Sequence, residues 1–335
     1  MEKIKIGDRI IGPGEKTFII AEAGINHDGD FNLAKKLVKA AAESGADVVK
    51  FQIFKAEEFV SKDAEYFDLF KALEFNNEEW IELANLAENK GVMFSASVFD
   101  EASADLLNEM GAPVYKIASG DLTHFPLLYY ISKKNLPVIL STGMSTIGEI
   151  DESLKNIYKS GNRQVALMHC VSNYPTKYED TNLSFMQNLK DMYKIPVGFS
   201  DHTTGLLIPS LAVARGADLI EKHFTVDKNL PGPDHKLSLD PTEFKKMVEN
   251  IRITESAIGD GVKNLTEDEK LIKQFGRRSL TAAVDIPKGQ TISRDQIKIL
   301  RPGTGIEPKF VDSVVGKTVN QDVKRNQTID WDVIC

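Results

Sequence analysis

The chain reads as an α/β protein, a (β/α)8 TIM barrel followed by a small C-terminal β-rich domain. Three observations predict this. Eight short apolar runs recur with helical segments between most of them, polar residues cluster where those runs end, and from about residue 259 the alternation gives way to β-formers and turns. Continuous apolar strands alternating with helices imply a parallel sheet covered on its outer face, and eight such units close into a barrel of roughly 250 residues. An open doubly wound sheet is the structural alternative.

The apolar runs lie at 18 to 23, 48 to 53, 92 to 97, 114 to 119, 137 to 142, 165 to 170, 197 to 201 and 219 to 224. Between the first two, Leu33, Leu37, Ala40 and Ala41 recur at helical spacing, and Gly45 supplies the left-handed residue that ends the helix. Gly91 and Gly111 end the helices expected around 78 to 89 and 101 to 109. The run Leu206 to Arg215 admits Pro209 in its first turn, where a missing N–H is harmless, and stops at Gly216. A weak repeat links three of these units: Gly45, Gly111 and Gly216 are each followed by Ala, and Lys50, Lys116 and Glu221 stand five residues after them. Side chains alternate along a strand, so equal offsets put these three on equivalent faces, together with Gln52 and His223. Lys222 falls on the opposite face and is not expected to be catalytic. The domains follow as a barrel over 1–260, a linker over 261–278 with a linking helix, and a small domain over 279–335.

Composition excludes several classes. With 41 Lys and Arg against 49 Asp and Glu, the net charge of -8 and the lack of a long basic cluster argue against a nucleic-acid partner. No apolar run approaches the roughly 18 residues of a membrane span, and the start MEKIKIGDRIIG lacks the apolar core of a signal peptide. A cytoplasmic protein without membrane partners is expected. Cys170 and Cys335 are the two cysteines, so a disulfide framework is not expected and Cys170 reads as a structural thiol.

The candidate site is the set of polar residues ending the strands: Glu22, Lys50, Gln52, Ser97, Lys116, Ser119, Ser141 and Thr142, Ser172 to Tyr174, Ser200 to His202, and Glu221 with His223. Catalytic groups of a barrel gather there, because the βα loops form its open face. Two lysines among hydroxyls suit a phosphate or carboxylate. His202 and His223, on adjacent strand ends, could share a divalent metal and leave positions for water and substrate; otherwise they hydrogen-bond at the mouth. Asp234, in the next loop, is a third ligand or a partner for sugar hydroxyls. Glu22 is a candidate general base, its pKa pulled one way by burial and the other by lysines. His27, His124, His169 and His235 read as loop or core histidines, with His27 distinguished by standing near Glu22.

The segments IAEAGINHDGD, ADVVKFQIFKAEE, YKIASGDL, ILSTGMST, HCVSNYPT, GFSDHTTG, EKHFTVDKNLPGPDHKLSLDP and KILRPGTGI, in this order, resemble the sialic acid synthases from about residue 18 to the C-terminus. The resemblance implies a barrel with an antifreeze-like (SAF) domain, and condensation of phosphoenolpyruvate with an N-acetylated mannose-type sugar. It also implies a divalent metal, commonly Mn2+ with Mg2+ or Co2+ as alternatives. By position, His202 and His223 resemble the metal ligands, and Lys50, Ser97, Lys116, Ser119, Ser172 and Ser200 the phosphoenolpyruvate contacts. Some members carry Thr where this chain has Ser97 and Asn where it has Ser172. Glu22, Gln52, Tyr174 and Asp234 correspond to groups around the sugar and reacting carbons. Arg301 resembles an arginine that reaches the partner's site, which implies a domain-swapped homodimer. N-acetylmannosamine, giving N-acetylneuraminate, is the expected sugar. The alternatives are a legionaminate-type synthase using a 2,4-diacetamido-2,4,6-trideoxy hexose, and a pyruvate aldolase with Lys50 or Lys116 as Schiff base.

Overall fold

In the computed structural model, which describes residues 2–335, eight parallel strands close into a barrel. A short hairpin precedes them: β1 (Ile4–Ile6) pairs antiparallel with β2 (Arg9–Ile11) across a two-residue connection. The barrel strands are β3 (Phe18–Gly24), β4 (Val48–Ile53), β5 (Met93–Val98), β6 (Tyr115–Ile117), β7 (Val138–Ser141), β8 (Val165–His169), β9 (Val197–Asp201) and β10 (Leu219–His223). Each pairs with the next, and β10 returns to β3. Closure removes the open-sheet alternative. All eight expected runs are strands, within a residue or two at their ends.

Alternation along each strand sorts side chains into two layers. On β3, Ile19, Ala21 and Ala23 join the cluster packed under the helices, whereas Phe18 and Ile20 join an inner cluster with Val48, Val114, Ile139, Met168 and Leu219. Glu22 is next in the inward series, so it points into the barrel above this apolar floor. Register then sets the level of the other polar groups: Glu22 lies between His223 on β10 and Lys50 on β4, and Ser97 on β5 lies between Gln52 and Lys116. The hairpin, absent from the sequence expectations, closes the opposite end, where Ile4, Ile6 and Ile11 pack onto the inner cluster. Arg9 pairs with Asp47, whose other oxygen accepts the Ile19 N–H at 2.8 Å.

The chain divides into two compact units, residues 1–259 and 260–335. In the second, β11 (Ser279–Ala282) pairs antiparallel with β12 (Ile297–Leu300), and single bridges such as Ile286 to Val323 and Val319 to Ile334 extend the framework. Its own core contains Leu280, Ile292, Ile306, Val319, Val323 and Ile329. The expected linker contains a helix, Glu267–Gly276, started by a capping box between Thr266 and Glu269.

Candidate active site

Of the candidate barrel residues, Glu22, Lys50, Gln52, Ser97, Lys116, Ser119, Ser141, Ser172, Tyr174, Ser200, His202, Glu221, His223 and Asp234 line one cavity of about 310 Å3 at the C-terminal ends of the strands, whereas Thr142, Asn173 and Asp201 do not. Arg301, the remaining candidate, is exposed in the second unit after β12.

Four buried charges form the base of the cavity. Lys50 Nζ lies 2.5 Å from Glu22 Oε2 and 3.6 Å from Glu221, and donates to Ser97 Oγ at 3.1 Å. Lys116 Nζ donates to both oxygens of Glu221 at 2.8 Å, and Ser200 Oγ donates to Glu221 Oε1 at 2.8 Å. Gln52 Nε2 reaches Glu22 Oε1 at 3.4 Å. The environments drive the two carboxyls apart. Burial raises Glu22, and Glu221 raises it further, against the pull of Lys50 and Lys116. Burial also opposes ionisation of Glu221, yet Lys116 and Lys50 outweigh it and hold that carboxyl well below the usual range. Burial would lower Lys50, but Glu22 and Glu221 raise it; Lys116 is lowered by its own burial. Glu22 is therefore the group suited to exchange a proton, and Glu221 a fixed anion. Glu221 was placed on the correct face by the repeat but given no role there; the lysines' equal offset was the signal that marked it.

A second cluster uses hydroxyls. Ser119 Oγ accepts the Gly143 N–H at 3.1 Å and lies 3.2 Å from Cys170 Sγ. A Cβ on Gly143 would stand 2.3 Å from Ser172 Oγ, 2.8 Å from Ser119 Oγ and 2.9 Å from Cys170 Sγ, so only glycine permits this convergence.

The two histidines each leave a ring nitrogen without a hydrogen-bond partner from a donor group. His202 Nδ1 donates to the Val171 carbonyl at 2.7 Å, which leaves Nε2 as the lone-pair nitrogen. Ser200 stands 3.4 Å from that nitrogen but spends its proton on Glu221. His223 Nδ1 is buried with no hydrogen-bond partner, and its nearest acid is Asp234 at 3.7 Å. Burial lowers both imidazoles, His223 strongly, which favours their neutral form. Their rings are 5.6 Å apart, and the Tyr174 ring lies 4.2 Å from that of His202, tilted by 34°. Among the described residues no group of three His, Cys, Asp or Glu side chains converges as a ligand set.

His27 is a core histidine, as expected: it stays out of the cavity, packs against Phe75 at 4.5 Å and Trp80 at 5.9 Å, and accepts the Gly29 N–H at Nδ1. Lys222, off the cavity-facing side as expected, is a buried charge paired with Asp201 at 2.6 Å. Among the described residues no helix is long and apolar enough to cross a membrane.

Known proteins resemble this chain over most of its length. The NeuB family profile matches residues 37–263, and the SAF domain profile residues 277–334. The N,N'-diacetyllegionaminic acid synthase of Legionella pneumophila is 45% identical over 96% of this chain and 96% of its own. The enzyme of the same name from Campylobacter jejuni is 43% identical over 94% of this chain and 99% of its own. Among solved structures, the N-acetylneuraminic acid synthetase of Leptospira borgpetersenii superposes with a TM-score of 0.77 at 38% identity, over 81% of this chain and 94% of that one.

Proposed function

Since the chain belongs to the NeuB family of sialic acid-type synthases and carries a SAF domain, we propose that it condenses phosphoenolpyruvate with an open-chain acetamido sugar and water, giving a nine-carbon 2-keto acid and phosphate. The observation that carries this reading is the cavity itself: two buried lysines and a ring of serines for an anion, beside two neutral imidazoles with a free nitrogen each.

His202 and His223 would hold a divalent ion, Mn2+ first, which when bound polarises the sugar aldehyde oxygen as a Lewis acid. The remaining work falls to the chain's side chains. Lys50 and Lys116 supply point charges, and Ser97, Ser119, Ser172 and Ser200 supply donors, to the phosphate and carboxylate of phosphoenolpyruvate. In the free protein both lysines face carboxylates, so an entering anion displaces Glu22, whose raised pKa lets it take up a proton. Carbon 3 of phosphoenolpyruvate attacks the aldehyde carbon, and Glu22 gives its proton to the forming sugar hydroxyl. Water adds at carbon 2 and returns a proton to Glu22; collapse then breaks the C–O bond, forms the carbon 2 carbonyl and releases phosphate, which carries off the proton of the carbon 2 hydroxyl. Gln52, Tyr174 and Asp234 orient the sugar, and fixed charges around the reacting atoms stabilise the developing positive carbon.

For the sugar, a 2,4-diacetamido-2,4,6-trideoxy hexose is favoured, because the two relatives named for diacetyllegionaminic acid share 45% and 43% identity with this chain. N-acetylmannosamine is the second reading, supported by the 38% identical N-acetylneuraminic acid synthetase. The test is phosphate release from phosphoenolpyruvate with Mn2+ and each sugar in turn. The diacetamido sugar should give the higher kcat/KM; a preference for N-acetylmannosamine would reverse the order, and full activity in chelator would remove the metal role. Arg301 is proposed to serve the partner's site in a swapped homodimer.

A further inference from the structure

The loop between β10 and the helix Pro241–Ile258 carries Asp234 to the cavity rim. A 17-residue connection of this kind is a mobile element by default, because loops bury little apolar surface. Here its underside is tied to the segment after β3 by a chain of buried polar contacts. His235, fully buried, uses both ring nitrogens: Nε2 meets Asp28 Oδ2 at 2.9 Å and Nδ1 meets Thr225 Oγ1 at 2.7 Å. Asn26 Nδ2, also buried, donates to the Phe224 carbonyl and to Ser238 Oγ, both at 2.9 Å. Ser238 Oγ in turn donates to the carbonyl of Asp234 at 2.7 Å. Room for this is made at Gly232, where a Cβ would stand 2.1 Å from Asp28 Oδ1 and 2.9 Å from the His235 ring. Asp28 itself has φ +49, a conformation that Asn tolerates and Gly adopts freely.

We infer that Asp28, His235 and Asn26 form a clamp that fixes the Asp234 carboxylate over the cavity, so that they are positioning residues for the sugar and not for the anionic substrate. The inference rests on the proposed sugar role of Asp234. Its specificity follows from the placement: Asp234 stands on the His223 side of the cavity, whereas the lysines and Ser97 are held by β4, β5 and β6, which the clamp does not touch. A barrel strand displaced by general loosening would weaken both substrates; a loop released at one end weakens one.

The experiment uses Asp28→Gly, which removes the acceptor without backbone strain, beside Asp28→Asn, which keeps an oxygen for His235. In the full chain, Asp28→Gly should raise KM for the acetamido sugar about tenfold, leave KM for phosphoenolpyruvate within twofold, and leave the Mn2+ requirement unchanged. Asp28→Asn should recover most of the loss. An equal rise in both KM values, or none, would overturn the positioning role. Hydrogen exchange of the free protein provides an arm that needs no turnover: amides of 226–238 should exchange at least tenfold faster in Asp28→Gly while those of the barrel strands do not change. Unchanged protection of the loop would refute the clamp even if the chain proves to use another substrate, and an inactive native protein with a released loop would refute the synthase reading alone.

Discussion

Glu22, Lys50, Lys116 and Glu221 place two charges of each sign on the cavity floor, each no more than 4% exposed. Removing one member of such a set leaves an uncompensated buried charge, which costs about 3–5 kcal/mol. Lys116→Met should lower urea stability by that order, and adding Glu221→Gln should restore part of it, because the double variant again balances the site. For catalysis, Glu22→Gln removes the proton carrier while keeping the hydrogen bond to Gln52 possible, and kcat should fall about 10²–10⁴-fold in steady-state assays with phosphoenolpyruvate KM little changed. His27 yields a pH prediction. Burial among aromatic rings pulls it from 6.5 down to about 4, so the unfolded chain binds its proton at a higher pH than the folded chain. Its contribution to stability is complete above 6.5 and is lost as pH falls toward 4, by roughly 3 kcal/mol at the limit. Denaturation midpoints between those pH values should fall less steeply in His27→Gln than in the native chain. Sequence reasoning reached most of the cavity residues because polar groups that interrupt apolar strands at their C-terminal ends announce themselves locally, although it also took in Thr142, Asn173 and Asp201, which do not line it. It gave Glu221 no role because a face can be counted along a strand, whereas the 2.8 Å contact with Lys116 spans 105 positions. The His235 to Asp28 contact spans 207, and no local pattern reports it.

At the scale of elements, the barrel strands and their helices were legible from period and punctuation, since each long apolar run carries several residues of signal. The hairpin of β1 and β2 was not: two strands of three residues offer too little alternation, and their stability comes from the inner cluster they close. Ile6 and Ile11 are fully buried there. Ile6→Ala should therefore cost about 2–5 kcal/mol, the range for a core truncation that leaves a cavity, although it lies at the end of the barrel remote from the chemistry. Chemical denaturation would measure this, and kcat should not change. The helix Glu267–Gly276 shows the opposite case: its capping box was readable within the polar stretch taken as linker, yet Leu271, Ile272 and Phe275 on it remain exposed in the chain.

For the whole molecule, the two units have separate cores, and the sequence indicated this through the change of texture near 259. A proposed swapped dimer assigns Arg301 to a partner's cavity. Mixing Arg301→Ala chains with Lys116→Ala chains should then restore activity, because one cavity of each mixed dimer keeps both residues; a confirmed mixed dimer without activity would place Arg301 outside the site. Above both units stands the claim that the cavity drives condensation with cleavage of the C–O bond of phosphoenolpyruvate. Its most direct measurement uses phosphoenolpyruvate carrying 18O in the bridging oxygen, with Mn2+ and the diacetamido sugar, and follows the label by mass spectrometry. The label should leave entirely in inorganic phosphate, in a one-to-one ratio with the nine-carbon 2-keto acid. Label retained in the keto acid, or no phosphate released with any acetamido sugar, would contradict it.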